Sequence, residues 1–310
     1  KSVTIPGSVT SLGGSVFENC SGLTKVNVNW DKPVNIHYSM FEPEIYDTAI
    51  FNVPANAIAA YLPTEWWKLF KNREAGGYPV KDYKNDTLNY TLISNPDSPS
   101  AILVNGDYSS MTTVNIPESF TVRSDGANPV RYDVTAIGPY AFKDCMNLKE
   151  VNFSQSSFIS SIGSSAFENC TGLKSITIPK AVTTLCERAF YGCTELQSVN
   201  LNDGLDIVGN SSFFGCTKLA TIKIPGTVKT LGNSAFRNCS SLESVNIPNS
   251  VTSIRDNAFF NCYKLDKSEF ASIESLCRID FESVTSNPLT YTHNLYVAEK
   301  KSRIWSYLKP

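Results

Sequence analysis

The side chains in this chain that could do chemistry are nine cysteines, two histidines, four tryptophans and scattered carboxylates. Cysteine offers nucleophilic, redox or metal-binding chemistry, and each needs close partners. Here Cys145, Cys170, Cys193, Cys216, Cys239 and Cys262 recur instead at one gap of 25 residues and then gaps of 23, with Cys20 in the same local setting. No C-x-x-C pair occurs, and His37 and His293 lie outside the regular pattern, so no metal site is read. A disulfide framework is disfavoured because the number is odd and side chains at one position of stacked coils project in parallel rather than converge. The cysteine at this position therefore reads as a small buried hydrophobe.

Other catalytic signatures are missing. The sequence holds no H-E-x-x-H, no G-x-S-x-G and no phosphate-binding glycine loop. Glu42 and Glu44 flank Pro43 and read as solvated loop charges. No catalytic residue is assigned, no metal or organic cofactor is implied, and the chain is read as non-enzymatic.

The cysteine period belongs to a longer template. Three residues before each cysteine stands Phe142, Phe167, Phe190, Phe213, Phe236 or Phe259, and eight before it Ile137, Ile162, Leu185, Val208, Leu231 or Ile254. Three after it stands Leu148, Leu173, Leu196, Leu219, Leu242 or Leu265. Apolar residues six and eight after the cysteine, such as Ile176 with Ile178 and Val245 with Ile247, mark a short half-buried strand. Pro179, Pro225 and Pro248 end their strands. Such a period indicates a solenoid, in which no coil buries its own faces and stacking supplies the core. The fold class expected is an α/β solenoid, a right-handed superhelix of coils about 23 residues long, each with a short parallel strand and a short helical turn, bounded by irregular caps. The residue just before the cysteine is Asn19, Asp144, Asn169, Gly192, Gly215, Asn238 or Asn261, the types that enter left-handed backbone most readily, so positive φ is expected there. Seven before the cysteine, Gly138, Gly163, Gly209 and Gly232 give way to Cys186 and Arg255, so close packing is expected at that position rather than positive φ.

The organisation read from these signals has two parts. Residues 1–77 comprise the end of a first repeat run (1–29) and a closing cap (30–77), with short helices at Ala57–Tyr61 and Glu65–Phe70. Residues 78–310 comprise an opening hairpin cap (84–130), regular coils (131–265) and irregular coils (266–310), with Ser268–Cys277 read as a helix. Lys1 begins in mid-repeat, which reads as an excised stretch of a longer chain. Lys and Arg total 27 against 29 Asp and Glu, so nothing steers the chain to nucleic acid or an anionic membrane. No run of 18 apolar residues encodes a membrane span.

The coils "NCTGLKSITIPKAVTTL" and "NCSSLESVNIPNSVTSI" resemble the BspA-like, or Treponema-type, leucine-rich repeat family, over Ser2–Val28 and Val134–Leu265. "FNVPANAIAAYLPTEWWKLFKN" is similar to the closing element that follows such arrays. The resemblance implies a secreted or outer-surface bacterial protein that binds protein partners, host extracellular matrix among them, in adhesion. It carries over no catalytic residue.

Binding is expected on the strand face, where alternate residues point away from the core. The candidates are Glu150, Asn152, Thr177, Asn200, Lys223 and Asn246, members of a polar ribbon rich in Asn, Ser and Thr. A competing reading is that any half-buried sheet shows polar residues to solvent. Two alternatives stay open. Exposed aromatics, with Trp30, Trp66, Trp67 and Trp305 as candidates, could stack on sugar rings. The array could also be a spacer for other modules. The partner and the oligomeric state are not encoded in any motif.

Overall fold

The computed structural model describes residues 1–34, 38–85, 87–123, 128–155, 157–292 and 294–297. It divides into two compact units, residues 1–104 with 119–134, and residues 105–118 with 135–310. The sequence reading divides at 77/78. At that point Gly76 and Gly77 both adopt positive φ. They fold Asn72–Ala75 back against Tyr78–Asn85 as an antiparallel hairpin.

In the first unit, Ser2–Ile5, Lys25–Val28, Ile50–Val53 and Asn72–Ala75 pair in parallel in chain order. Tyr78–Asn85, Leu88–Ile93 and Ser100–Val104 follow as an antiparallel meander. The cap supplies what a regular coil would have given. Ser15 and Phe17 donate their backbone N–H groups to the carbonyls of Ser39 and Met40, and the N–H of Asn19 donates to Oε1 of Glu42 at 3.0 Å. Glu42 is thus a half-buried acceptor that stands in for a carbonyl, not the solvated charge expected; Glu44 is exposed. Ile58–Tyr61 and Glu65–Leu69 form helices in the cap, and so does Pro43–Thr48, which was not among the helices expected.

In the second unit the repeat positions become columns. Phe142, Phe167, Phe190, Phe213, Phe236 and Phe259 have no exposed surface. Their rings stack at 5.2, 5.3, 5.4, 5.4 and 5.6 Å between centroids, with planes within 12° of parallel. Tyr108 extends the column at 5.1 Å from Phe142. The aliphatic and leucine columns are buried as well. Two-residue strands, from Ser161–Ile162 to Ser253–Ile254, pair in parallel along one side.

The turns carry a third set of coil-to-coil bonds. The residue just before the cysteine has positive φ in all seven coils, as its residue types led us to expect. A second left-handed position lies five residues before the cysteine, at Ser15, Tyr140, Ser165, Arg188, Ser211, Ser234 and Asn257, with φ of 53–58°. Its residue types gave no warning. Flipping the backbone at these two positions turns alternate N–H groups along the stacking direction. Ser165, Phe167 and Asn169 donate to the carbonyls of Glu187, Ala189 and Tyr191 in the next coil, at 2.9, 2.8 and 2.7 Å. The same triplet joins Ser211, Phe213 and Gly215 to Asn233, Ala235 and Arg237. Each such bond is worth about 0.5–1.5 kcal/mol net, and each left-handed residue other than glycine costs about 1–2 kcal/mol. The terms roughly cancel, so burial of the phenylalanine and its neighbours must supply the surplus.

The expected helical turn is therefore a series of tight turns closed by bonds over three residues, such as Cys170 N–H to the Phe167 carbonyl. Two left-handed residues in that stretch prevent an α-helix. Close packing explains the glycine column, because a Cβ on Gly209 would lie 2.5 Å from the Leu185 carbonyl oxygen. Two further expectations need correction. Thr113–Ile116, read as a hairpin strand, pairs in parallel with Glu150–Phe153. Lys267–Phe270 is a strand in register with Ser244–Ile247, because Ser268 follows Val245 in its column. The helix is Ile273–Arg278, begun by a Ser272–Ser275 capping box.

The cysteine is more than a small hydrophobe. Sγ of Cys170, Cys193, Cys239 and Cys262 donates to the carbonyl of Phe142, Phe167, Phe213 and Phe236 in the coil before, each at 3.1 Å, and Cys216 bonds Phe190 at 3.3 Å. Cys20 is the exception to the expected burial. It is exposed.

One buried charge network ties coils together. Glu168, 5% exposed, accepts two bonds from Arg188 at 2.9 Å each and lies 3.3 Å from Nζ of Lys143. The Arg188 bonds, helped by Ser165 and Lys143, outweigh burial and hold the Glu168 carboxyl down to about 2.

Two outcomes follow from this packing. Phe213→Ala should lose about 3–5 kcal/mol, because neighbouring coils cannot collapse onto the cavity; a melt coincident with that of the unmutated protein would contradict the column. Glu168→Gln should lose about 1.5–3 kcal/mol at neutral pH through its charge-assisted bonds. Since the folded carboxyl titrates below its unfolded value of about 4.3, that stabilisation is complete above this value and fades as the pH falls toward about 2. Melting curves of the two proteins should therefore converge across that window, and a constant separation would contradict the assignment.

Candidate functional site

The strand face of the second unit is assembled from three separate sheets. Glu150–Phe153 pairs with Thr113–Ile116, Ser175–Thr177 pairs with Ser198–Asn200, and Thr221–Lys223 joins Ser244–Ile247, Lys267–Phe270 and Asn294–Val297. No ladder joins Glu150–Phe153 to Ser175–Thr177. Nor does one join Ser198–Asn200 to Thr221–Lys223, although that coil has the regular length; the first interruption lies at the one long coil, from Cys145 to Cys170, whose two extra residues fall between Ser154 and Ile159.

The expected binding residues divide by what they touch. Glu150, Asn152, Thr177, Asn200 and Lys223 are exposed on this face, as alternation along a half-buried strand requires. Asn152 donates Nδ2–H to Oδ1 of Asn115 at 3.0 Å. Asn246 is half-buried and engaged: its Oδ1 accepts from the N–H of Ile224 at 2.8 Å, and its Nδ2 donates to the Ile224 carbonyl at 3.3 Å. Asn246 thus clamps the neighbouring strand rather than offering a free amide.

A groove of about 700 Å³ opens at the first interruption, between Glu150–Phe153 and Ser175–Thr177. Its walls are residues 150–155 on one side and 175–180 on the other. It unites Glu150, Asn152 and Thr177, and leaves Asn200, Lys223 and Asn246 outside its lining. Sequence reasoning missed Gln155 and Lys180 on these walls; the 25-residue gap is the signal that could have found them. It missed a second surface column as well. Tyr191 and Phe214 stack at 4.6 Å, the Arg188 guanidinium lies 3.8 Å from the Tyr191 ring, and that of Arg237 lies 4.9 Å from the Phe260 ring.

The tryptophans do not make the platform that sugar stacking needs. Trp30 is 3% exposed and donates Nε1–H to the Val9 carbonyl at 2.8 Å. Trp67 is fully buried against Tyr61, with the Arg73 guanidinium over its ring. Both fill the cap, which has no repeat column to provide its core. The Trp66 side chain and Trp305 lie outside the described residues, as do His37 and His293.

The column thiols are poor nucleophiles and metal ligands, which must act as thiolates. Burial pushes Cys193 and Cys262 up to about 12 and Cys145 to about 11, and raises Cys170, Cys216 and Cys239 as well. All nine cysteines are unbridged. Among the described residues, no three His, Cys, Asp or Glu side chains gather as metal ligands, and no helix is long and apolar enough to cross a membrane.

Comparison with known proteins gives the same architecture. The leucine-rich repeat protein TpLRR of T. pallidum is 28% identical, covers 61% of this chain and 81% of its own, and superposes with a TM-score of 0.51. A leucine-rich repeat protein of Bacteroides ovatus is 25% identical with a TM-score of 0.45, and this chain spans only 56% of its length. One from Eubacterium ventriosum is 18% identical over 98% of this chain and 78% of its own, with a TM-score of 0.49. No curated protein matches the chain. The sequence model of the BspA type leucine rich repeat region matches in six copies, over residues 1–59 and 135–266. With more than half of its length so matched, the chain belongs to the BspA-type leucine-rich repeat family.

Proposed function

We propose that this protein is a non-enzymatic recognition scaffold of the bacterial surface or exterior, which binds a protein partner, host extracellular matrix among the candidates, through its strand face. The observation that carries the reading is the exposed polar row of Glu150, Asn152, Thr177, Asn200 and Lys223, held by a core that needs none of them. Stacked coils present such rows as extended, rigid surfaces, which lowers the ordering cost of binding. The family supports the location, since its members are typically surface or secreted proteins. The burial of Trp30 and Trp67 weighs against a glycan site built on them.

The test is retention of a panel of purified matrix proteins and mucin on the immobilised chain. A matrix protein should be retained, and the double variant Glu150→Lys, Lys223→Glu should weaken it by about tenfold, which is about 1.4 kcal/mol. Retention unchanged by the double variant would contradict the strand face. Retention of mucin alone, abolished by periodate, would replace the protein partner with a glycan.

A further inference from the structure

Three departures from the repeat fall at one place: the coil with two extra residues, the break in strand pairing, and the groove. The strand row breaks once more, between Ser198–Asn200 and Thr221–Lys223, in a coil of regular length, but the extra residues and the groove lie at the first break. Here the facing edges of Glu150–Phe153 and Ser175–Thr177 belong to no common ladder. Each groove wall is a short strand, Glu150–Phe153 or Ser175–Thr177, continued into the turn that follows it, so the extended part of the groove runs for about 10–13 Å at about 3.3 Å per residue. Its volume lies in the range of sites that enclose ligands. Polar Asn152, Ser175 and Thr177 alternate with Val151, Ile176 and Ile178 along the walls, the period-two pattern that an extended peptide itself presents. The two charges of the lining stand at opposite ends, Glu150 where the strands begin and Lys180 where they end. Lys149 and Lys174 precede the strands and are outside the lining.

We infer that this groove receives an extended segment of a partner polypeptide, about four residues long, with a basic side chain toward Glu150 and an acidic one toward Lys180. The inference rests on the proposed strand-face recognition and narrows it to one locus and one ligand shape. The exposed side chains of the walls, Glu150, Asn152, Ser175 and Thr177, are spread along a line rather than gathered at a point.

The experiment is selection of a displayed random linear peptide library on the whole chain, followed by affinity measurement of selected peptides on three variants. Thr177→Trp fills the groove from an exposed strand position where tryptophan is well tolerated. Glu150→Gln and Lys180→Gln together remove its end charges, and Lys223→Glu changes the same face outside the groove. Selected peptides should carry a basic and an acidic residue several positions apart. They should lose at least tenfold on Thr177→Trp and severalfold on the charge-neutral variant, and keep their affinity on Lys223→Glu. Circular dichroism melts matching those of the unmutated protein show that each variant is folded. Peptides lost on Lys223→Glu but unaffected by Thr177→Trp would overturn the groove and leave strand-face recognition standing. Peptides indifferent to every variant, or no selectable peptide at all, would overturn both for peptide ligands.

Discussion

The structure depends on backbone bonds that pass from turn to turn between coils. Strands alone do not hold the second unit together: on one side they are two residues long, and on the other they are split into three sheets. The turns compensate with three N–H donors per coil, aimed by left-handed residues five and one before the cysteine. That aim costs backbone strain at each coil, and the strain is tolerable only because the phenylalanine between the two positions is buried against its copies above and below. Strained turn, stacked ring and thiol-to-carbonyl bond are therefore parts of one device, repeated with the period of the sequence.

This explains what varies and what does not. In the five coils from Cys170 to Cys262 the cysteine is small, buried and donates a bond to the preceding coil, which suits this one residue type to the position. The position five before it accepts Tyr140, Arg188 and Asn257 as well as serine, because what recurs there is the backbone conformation; the side chain can then serve locally, as Arg188 does against Glu168. On the strand face Glu150, Thr177, Asn200 and Lys223 point to solvent, away from the buried columns, whereas Asn246 is tied to the neighbouring strand. Charge inside the array is confined to groups that are paired, as Glu168 is with Arg188 and Lys143.

The columns were legible in the sequence because a buried side chain must match its copies in type. Phe213 and Cys216 announce their neighbours at 23-residue steps. The left-handed residue before the cysteine was legible for a related reason, since Asn, Asp and Gly are the types that tolerate it. The second left-handed column was not, because interlocking bonds hold Arg188 or Tyr140 there against their own preference. The helix expected over Ser268–Cys277 starts too early, at the strand residues Ser268–Phe270, because a four-residue strand with Ser268 in an apolar column carries too little periodicity to separate it from the helix that follows. Of the site, Glu150, Asn152 and Thr177 were readable from alternation. The groove was not, because it arises from how two coils fail to pair, and Lys180 enters it only through that failure.

The most direct test of the stacked-turn account is amide hydrogen exchange resolved to single residues. The N–H groups of Phe167, Phe190, Phe213 and Phe236 lie in turns, yet each donates to the next coil at 2.8 Å. The account predicts that they exchange only with global opening, as slowly as the strand amide of Val245. Exchange of these four on the timescale of an ordinary surface loop such as Asn95–Ser98 would show that the turns are not joined, and would contradict the central claim.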